Sequence, residues 1–574
     1  MNRFPLLNQV RAVAGGMHRR STWKRRESFL DTARRDCLNT QRATLRGLLE
    51  LNRESDFAKD FRLSPDLTAQ EFRKRVPVAG YELVQPYIEK MKSGHHQALL
   101  GRKNKLLMYA MTSGTTADSK LIPVTERFLS DYRRGWQSWG IGAYRQHADL
   151  KLLHIIQISS SHRRSVTADG TPCGNISGLV AAMQGKVVRS LYTIPSEVAE
   201  IFDADAKRYA VLRLALADPL AGMLITANPS TVLQMLETLQ LRASDLIRDI
   251  HDGGLSGSEA PQLVLKALAR SLRPNRDRAK ELERFLSMRG KLQPSDFWPH
   301  LQTLGVWRGG SAAAYIPTLN QWFPGVAVRD HGLHASEGRM TMPVNEESPA
   351  GVLEIETHYF EFLPVDAAGS QFPETLEAHE LKEGSEYYIL LTTSSGFCRY
   401  NIQDVVRCVG FHGATPMLEF RHKGAHISSI TGEKIAESQV VDAVRSAAET
   451  SGVPLRYFTL TPSWGNPPGY VLYALPAGSE QQTAFDPSAL QKLATLADSN
   501  LKHRNSEYLE KRDTGRLAPI RCEFLPASHW DKFTIHRTRR SGGSIEQYKH
   551  PCLLPDPQFE DLFRKACGLT PLDR

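Results

Sequence analysis

A loop rich in hydroxyl groups and glycine follows a short apolar run, and this pairing limits the possible folds more than any other feature. The residues from Met111 to Thr125 are MTSGTTADSKLIPVT, directly after the apolar run Leu106–Tyr109. A strand that ends in such a loop predicts a cradle for a polyphosphate, because hydroxyl groups, backbone N–H groups and a lysine would meet there. An ordinary Ser/Thr-rich turn is the alternative. The residues that would contact the anion are Ser113, Gly114, Thr115, Thr116 and Lys120.

The spacing of this loop points to one kind of nucleotide chemistry. It lacks the GxxxxGK[ST] pattern of the Walker loop. It resembles instead the phosphate loop of the ANL adenylating superfamily, in which ATP activates a carboxylate as an acyl-adenylate. Position 117 is alanine where that loop usually has glycine. The main chain would therefore approach phosphate less closely than in the superfamily pattern.

Further motifs follow the loop in a fixed order. They are WRGGS at Trp307, HASEG at His334, FEFLPVD at Phe360, CRYNIQDVV at Cys398, FRHKG at Phe420, GEKIAESQV at Gly432 and SIEQYKHP at Ser544. This set resembles the Gretchen Hagen family of acyl acid amido synthetases, the auxin-responsive promoter family, within the ANL superfamily. The resemblance extends from about Leu48 to about Leu553. It implies an enzyme that couples an acid to an amino acid.

Length and pattern indicate the domain organisation. With 574 residues, the chain exceeds the ~250–300 residues at which single cores stop growing. Alternating strand and helix patterns indicate an α/β fold. The resemblance implies a large N-terminal adenylate-forming domain with mixed β-sheets flanked by helices, and a small mobile α+β C-terminal domain. We expect a basic N-terminal arm at residues 1–26, the large domain at 27–421 and the small domain at 422–574.

Composition excludes several classes of protein. Hydrophobic residues make up 41% and charged residues 23%, and no window is apolar enough for a membrane span. The net charge of +10 is spread along the chain, so we expect no nucleic-acid partner. Basic residues cluster before the first acid, Glu27, as in a transit peptide or in a solvated arm that leads into a helix near Glu27.

The cysteines suggest a reducing compartment. Their number is odd and no CxxC pair occurs, so neither a disulfide framework nor a zinc site is indicated, and we expect a cytoplasmic protein. Cys398 lies beside Arg399, as an activated nucleophile would, but a core cysteine is the simpler interpretation.

Formation of an amide from a free carboxylate needs a leaving group on the acyl carbon. The resemblance implies that ATP supplies this group and that Mg²⁺ binds with the ATP. It places the nucleotide on His334, Ala335 and Ser336, and Mg²⁺ on Glu337. A single acid suffices for Mg²⁺ when substrate phosphates complete its octahedron. Asp404 would accept hydrogen bonds from the ribose hydroxyls.

The resemblance also implies less central contacts. Phe420 would pack near the ribose or belong to the core. Gly309, Gly310 and Ser311 would form the turn beside adenine. Trp136 and Trp139 share a helix face and would line an acyl pocket or the core.

Lys549, in SIEQYKHP, matches the mobile lysine that meets the α-phosphate and the carboxylate in the transition state, and Lys120 is the second catalytic candidate. Three positions depart from the family pattern, with His334 and Cys398 in place of tyrosine and Gln403 in place of glycine. These departures leave the substrate class open.

Three functions remain to be distinguished. The first is an ATP-dependent ligase that joins a small-molecule carboxylic acid to an amino acid through an acyl-adenylate, acting as a monomer. The second is a synthetase that forms an acyl-CoA thioester through the same intermediate. The third is a non-catalytic binding protein, and the joint retention of Lys120, Glu337, Asp404 and Lys549 argues against it.

Overall fold

A computed structural model describes most of the chain. The described residues are 5–112, 120–309, 312, 316–365, 373–423, 427–479, 482, 484–533, 552–554 and 563–565. They divide into two compact units, one formed by Met1–Met111 and Leu121–Arg421 and the other by Thr112–Lys120 and His422–Arg574.

Helices and strands alternate through much of the chain. The α-helices are α1 Leu6–Ala14, α2 Gly16–Arg35, α3 Cys37–Asn52, α4 Asp56–Asp60, α5 Ala69–Arg75, α6 Tyr81–Lys92, α7 Glu126–Gln146, α8 Ile176–Ala182, α9 Lys186–Arg189, α10 Ala204–Leu216, α11 Pro229–Asp252, α12 Gln262–Leu268, α13 Arg276–Arg289, α14 Pro294–Phe297, α15 Ile316–Trp322, α16 Glu437–Ser451, α17 Pro487–Arg504 and α18 Ser506–Asp513. The strands are β1 Leu106–Thr112, β2 Lys120–Thr125, β3 His154–Gln157, β4 Ser165–Val166, β5 Pro172–Gly174, β6 Ala221–Ile225, β7 Thr303–Gly305, β8 Ala327–Arg329, β9 His334–Ala335, β10 Gly338–Arg339, β11 Thr341–Pro343, β12 Gly351–Leu353, β13 Tyr359–Pro364, β14 Leu376–Glu377, β15 Glu386–Thr392, β16 Tyr400–His412, β17 Thr415–Lys423, β18 Ile427–Ser428, β19 Ile435–Ala436, β20 Leu455–Ser463, β21 Gly469–Pro476 and β22 Arg521–Phe524.

Three sheets organise the first unit. Strands β3, β6, β7 and β8 form a parallel sheet in that order, with helices between them in the chain. A second sheet has the order β2-β1-β5-β4. The largest sheet has seven strands in the order β11-β12-β17-β16-β15-β13-β14. Parallel and antiparallel pairings occur together with flanking helices, so the predicted mixed α/β class is confirmed.

The second unit has its own core. Its sheet pairs β20 with β21 antiparallel and β21 with β22 parallel. Strand β21 is buried along its whole length, as expected for the centre of a sheet covered on both faces. Buried residues of α16 and α17 complete the core, among them Val440, Val444, Leu493 and Ala497.

The first helices begin earlier than the sequence predicts. The expected helix near Glu27 is already formed at Gly16 as α2, and α1 precedes it. The cause is packing across the chain, because Thr22 and Arg26 are buried and the guanidinium of Arg145 lies 4.5 Å from the ring centre of Trp23. The predicted start of the helix near Glu27 was therefore wrong, whereas the boundary of a basic N-terminal segment at residue 26 stays a prediction.

The strand before the phosphate loop and the helix after it are as predicted. Helix α7 begins after Thr125, whose hydroxyl accepts a hydrogen bond from the backbone N–H of Phe128. Among the described residues, no helix is long and apolar enough to cross a membrane.

Candidate active site

The predicted phosphate loop falls largely outside the described residues. Ser113, Gly114, Thr115 and Thr116 are not described. Their flanks are neighbouring strands, because β1 ends at Thr112 and β2 begins at Lys120. Lys120 is half-buried. The loop therefore joins two adjacent strands at one edge of a sheet.

The HASEG motif is a tight hairpin. His334 and Ala335 pair with Arg339 and Gly338, so Ser336 and Glu337 form the turn between them. Glycine is required at position 338, because a Cβ there would lie 2.6 Å from Nε2 of His358. His334, Ala335 and Ser336 are half-buried and Glu337 is buried.

Glu337 is the acid of this hairpin turn. It forms no ion pair or side-chain hydrogen bond with any of the described residues, although only 6% of Glu337 is exposed. Burial raises the pKa of Tyr400 well above its usual value, and the charge of Glu337 raises it further. The hairpin turn therefore lies near β16, the strand that begins at Tyr400 and carries Asp404.

Asp404 lies at an irregularity in that strand. The pairing of β15 with β16 shifts register between Tyr388 and Leu390, and Gln403 has a φ of +59°. The side chain of Asn401 accepts a hydrogen bond from the Gln403 backbone N–H at 2.7 Å. Gln403 is exposed and Asp404 is buried. The family glycine at position 403 would suit this left-handed backbone, and the present chain keeps the conformation without it.

Phe420 and the predicted adenine-side turn lie close together. A Cβ at Gly309 would lie 3.3 Å from the backbone oxygen of Phe420, so glycine permits this approach. Phe420 is half-buried, which fits neither a fully buried core residue nor an isolated surface residue. Gly310 and Ser311 lie outside the described residues.

Aromatic rings surround His334. Its ring centre lies 5.5 Å from Trp136, 5.3 Å from Trp307 and 5.8 Å from His331. Burial lowers the pKa of His334 to about 4, and the positive charge of Arg339 lowers it further. His334 is therefore neutral near pH 7 and presents an uncharged aromatic ring.

The two tryptophans of α7 differ in burial. Trp136 and Trp139 pack edge to face with ring centres 5.6 Å apart, which confirms their shared helix face. Trp139 is 1% exposed and belongs to a core with Ile155 and Met223, so the core alternative describes it. The acyl-pocket role of Trp139 stays a prediction. Trp136 is half-buried.

Asp330, which sequence reasoning missed, connects three parts of this region. Its carboxylate accepts the backbone N–H of Arg308 and that of Gly332, each at 2.6 Å. Its backbone carbonyl accepts the indole N–H of Trp139 at 2.7 Å. Burial raises the pKa of the Asp330 carboxyl to about 6 although both N–H groups lower it. The available sequence signal was an aspartate directly after the short strand Ala327–Arg329.

Arg339, also missed, is a buried cation behind the hairpin. It donates to the backbone carbonyl of His331 at 2.5 Å, and its guanidinium lies 5.1 Å from the ring centre of Trp136. Its ion pair with Glu354 spans 3.6 Å. Gly135 makes room for it, since a Cβ there would lie 2.3 Å from the arginine Cδ. Burial lowers the pKa of Arg339 and raises that of Glu354 to about 6.

Lys549 lies outside the described residues, but the segment after it is held within the second unit. The backbone N–H of Leu460 in β20 donates to the carbonyl of Cys552 at 2.9 Å. The side chain of Glu437 accepts the N–H of Cys552 at 2.7 Å and that of Leu553 at 3.3 Å. These contacts fix the chain three residues beyond Lys549.

Two other kinds of chemistry receive no support. Burial raises the pKa of the Cys398 thiol to about 12, so Cys398 is a core cysteine and not an activated nucleophile. Within the described ranges, no group of three or more His, Cys, Asp or Glu side chains could hold a metal ion.

Comparison with known proteins places these features in one family. The GH3 family N-terminal, central and C-terminal domains match residues 26–328, 351–423 and 438–558. Indole-3-acetic acid-amido synthetase GH3.4 of Arabidopsis thaliana is 25% identical over 91% of this chain and 90% of its own length. Indole-3-acetic acid-amido synthetase GH3.8 of Oryza sativa subsp. indica is 25% identical over 93% of this chain and 91% of its own length.

A solved structure shares the fold. The GH3.15 acyl acid amido synthetase superposes with a TM-score of 0.64 at 21% identity and covers 94% of this chain and 95% of its own. The predicted fold of a large adenylate-forming domain with a smaller C-terminal domain is confirmed, and so is the predicted class of enzyme. This chain belongs to the GH3 family.

Proposed function

We propose that this protein is an ATP-dependent ligase that activates a small carboxylic acid as an acyl-adenylate and transfers the acyl group to an amino acid. The observation that carries this proposal is the HASEG hairpin, which holds the buried carboxylate of Glu337 without a partner among the described residues. A carboxylate that pairs with no described side chain can take a cation as its ligand, and oxygen is the ligand type that Mg²⁺ prefers. A nucleotide-bound magnesium ion would supply that cation.

The nucleotide would bind around this hairpin. The neutral ring of His334 would stack on adenine, with Gly309 and Phe420 beside it. Asp404 would accept hydrogen bonds from the ribose hydroxyls, and an acceptor-only carboxylate suits that task. The proximity of Gly309 to Phe420 and of Glu337 to Tyr400 supports this arrangement.

Mg²⁺ fits a site with one protein carboxylate, because this ion keeps several waters and takes phosphate oxygens as its remaining ligands. When bound, it would neutralise charge on the phosphates of ATP. Ser113, Gly114, Thr115, Thr116 and Lys120 would hold the β- and γ-phosphates through hydroxyl, backbone N–H and ammonium groups, and Ser336 would contact the nucleotide. Gly310 and Ser311 would complete the turn beside adenine.

Two steps follow from these assignments. A carboxylate oxygen of the acid attacks the α-phosphorus, and the bond to the β-phosphate oxygen breaks, so pyrophosphate leaves. The amine of an amino acid then attacks the acyl carbon, loses a proton and displaces AMP. Lys549 would stabilise the charge that develops on the α-phosphate in the first step. Trp136 would contact the acyl group, because it is half-buried beside His334.

The function is tested by a screen for release of AMP and pyrophosphate across aromatic and aliphatic acids, with hydroxylamine present to trap the acyl-adenylate as a hydroxamate. A turned-over acid should yield equal amounts of AMP, pyrophosphate and hydroxamate. Glu337→Gln should reduce this rate by roughly 10²–10³, as loss of one preorganised electrostatic group typically does. The matched control, Glu347→Gln, changes an exposed glutamate and should retain the full rate. Release of ADP and phosphate, or full activity of Glu337→Gln, would contradict the proposal.

A further inference from the structure

The N-terminal helices expose an apolar stripe to solvent. Leu6, Val10, Val13 and Met17 form this stripe, with 75%, 56%, 81% and 81% of their surfaces exposed. Their spacing of four, three and four residues places them on one face of a helix. Large exposed side chains elsewhere, such as Leu241, are dispersed along the chain and need no explanation.

The stripe is continuous because the backbone remains helical between α1 and α2. Gly15, which separates the two helices, has φ −74° and ψ −4°. Its N–H donates to the carbonyl of Arg11 at 2.9 Å, and its own carbonyl accepts the N–H of Arg19 at 3.0 Å. Residues on both sides of Gly15 therefore follow one helical period, and Met17 continues the row that begins at Leu6.

The opposite face of these helices packs against the rest of the first unit. Asn8 and Ala12 are buried, and the side-chain amide of Asn8 donates to the carbonyl of Leu152 at 2.8 Å. Helix α1 is therefore held in a fixed orientation. This orientation turns the apolar stripe away from the protein.

The segment that carries the stripe is basic. Residues 1–26 contain no acidic side chain, and their basic residues include Arg11, Arg20 and Lys24. Arg20 and Lys24 are exposed and lie three and seven residues after Met17, so they extend the same helix face. Glu27, three residues after Lys24, is exposed and forms an ion pair with Arg26 at 3.2 Å. A row of apolar side chains that ends in two exposed basic ones complements a bilayer surface, which has an apolar interior and negative head groups.

We propose that the apolar stripe, with Arg20 and Lys24 at its end, binds the surface of an anionic phospholipid bilayer. The helix would lie in the plane of the surface, with the apolar side chains between the acyl chains and the basic groups at the phosphates. A single short stripe gives reversible binding that salt weakens. The proposal is independent of the proposed ligase function.

The test is co-sedimentation of the full chain with vesicles. Vesicles of phosphatidylcholine alone are compared with vesicles of phosphatidylcholine and phosphatidylglycerol at low and high salt. We expect binding to the anionic vesicles that falls as salt is raised. Val13→Asp with Met17→Asp should weaken this binding by roughly tenfold or more, because two apolar groups are lost and two negative charges face the anionic surface. Arg20→Ala with Lys24→Ala should weaken binding to anionic vesicles and leave any binding to neutral ones unchanged.

Leu241→Asp is the matched control, since Leu241 is 83% exposed but lies in α11 outside the stripe. It should bind vesicles like the wild type, and circular dichroism and pyrophosphate release should be equal for all variants. Failure of the wild type to bind anionic vesicles would overturn the proposal. So would equal binding by the stripe variants, or a dimer in sedimentation equilibrium that Val13→Asp dissociates, because a second copy would then cover the stripe.

Discussion

Asp330→Asn should change how the stability of the protein depends on pH. The Asp330 carboxyl is 3% exposed, and burial raises its pKa from 3.8 to about 6. A raised carboxyl pKa means that the folded protein binds this proton more tightly than the unfolded chain does. The contribution of this carboxyl group to the free energy of unfolding is therefore fully present below about pH 4, and it is lost as the pH rises through 6. With 1.36 kcal/mol per pKa unit, the full loss is about 3 kcal/mol, of which about 1.4 kcal/mol falls between pH 5 and pH 8.

Asparagine removes the titration and keeps the size of the side chain. The asparagine amide N–H group would face a backbone N–H donor, which lowers the stability of the variant. This loss is the same at every pH, so it cancels when the stabilities at two pH values are compared. Urea unfolding followed by tryptophan fluorescence at several pH values would give the two stability curves. We expect the wild type to lose about 1.4 kcal/mol relative to Asp330→Asn between pH 5 and pH 8. Parallel curves, or a relative gain by the wild type, would refute the assigned pKa and its cause.

Substitutions at three further positions test separate parts of the site. Asp404→Ala should weaken ATP binding in calorimetry by about 1.5–3 kcal/mol through loss of a charged acceptor, and unchanged affinity in a folded variant would exclude the ribose role. Gln403→Gly should raise the free energy of unfolding by about 0.5–1 kcal/mol, because left-handed backbone costs a non-glycine residue about 1–2 kcal/mol. The larger conformational entropy of glycine in the unfolded chain offsets part of this gain. A less stable variant in thermal denaturation would show that Gln403 is unstrained. Glu437→Ala should slow adenylate formation by roughly tenfold by releasing Cys552 near Lys549, whereas Glu437→Gln keeps an acceptor and should restore most of the rate. Equal rates for both variants in stopped-flow measurements would show that this anchor does not position Lys549.

The elements and residues that were predictable carry local signals. The strand before the phosphate loop and the helix that begins after Thr125 follow from apolar runs and from a capping hydroxyl. The motif HASEG was identified through its resemblance to a family pattern, and its residues form a hairpin between two neighbouring short strands. Such signals lie within a few residues of the feature that they predict.

The features that were missed depend on residues far apart in the chain. The early start of the N-terminal helices depends on the contact of Trp23 with Arg145, which no local pattern indicates. Burial of Trp139 follows from packing against strands that come later in the chain. Asp330 becomes important only because the turn at Arg308 folds back onto it. A single sequence contains these residues but not their proximity.

The identity of the acyl acceptor distinguishes the proposed ligase from a synthetase that forms an acyl-CoA thioester. The protein is incubated with ATP, Mg²⁺, an acid that supports pyrophosphate release, a mixture of amino acids and coenzyme A, and the products are identified by mass spectrometry. We predict an N-acyl amino acid formed together with AMP and pyrophosphate, and its loss in Lys549→Ala, which should still convert a supplied acyl-adenylate to the amide. An acyl-CoA thioester as the product, with no amide, would contradict the account.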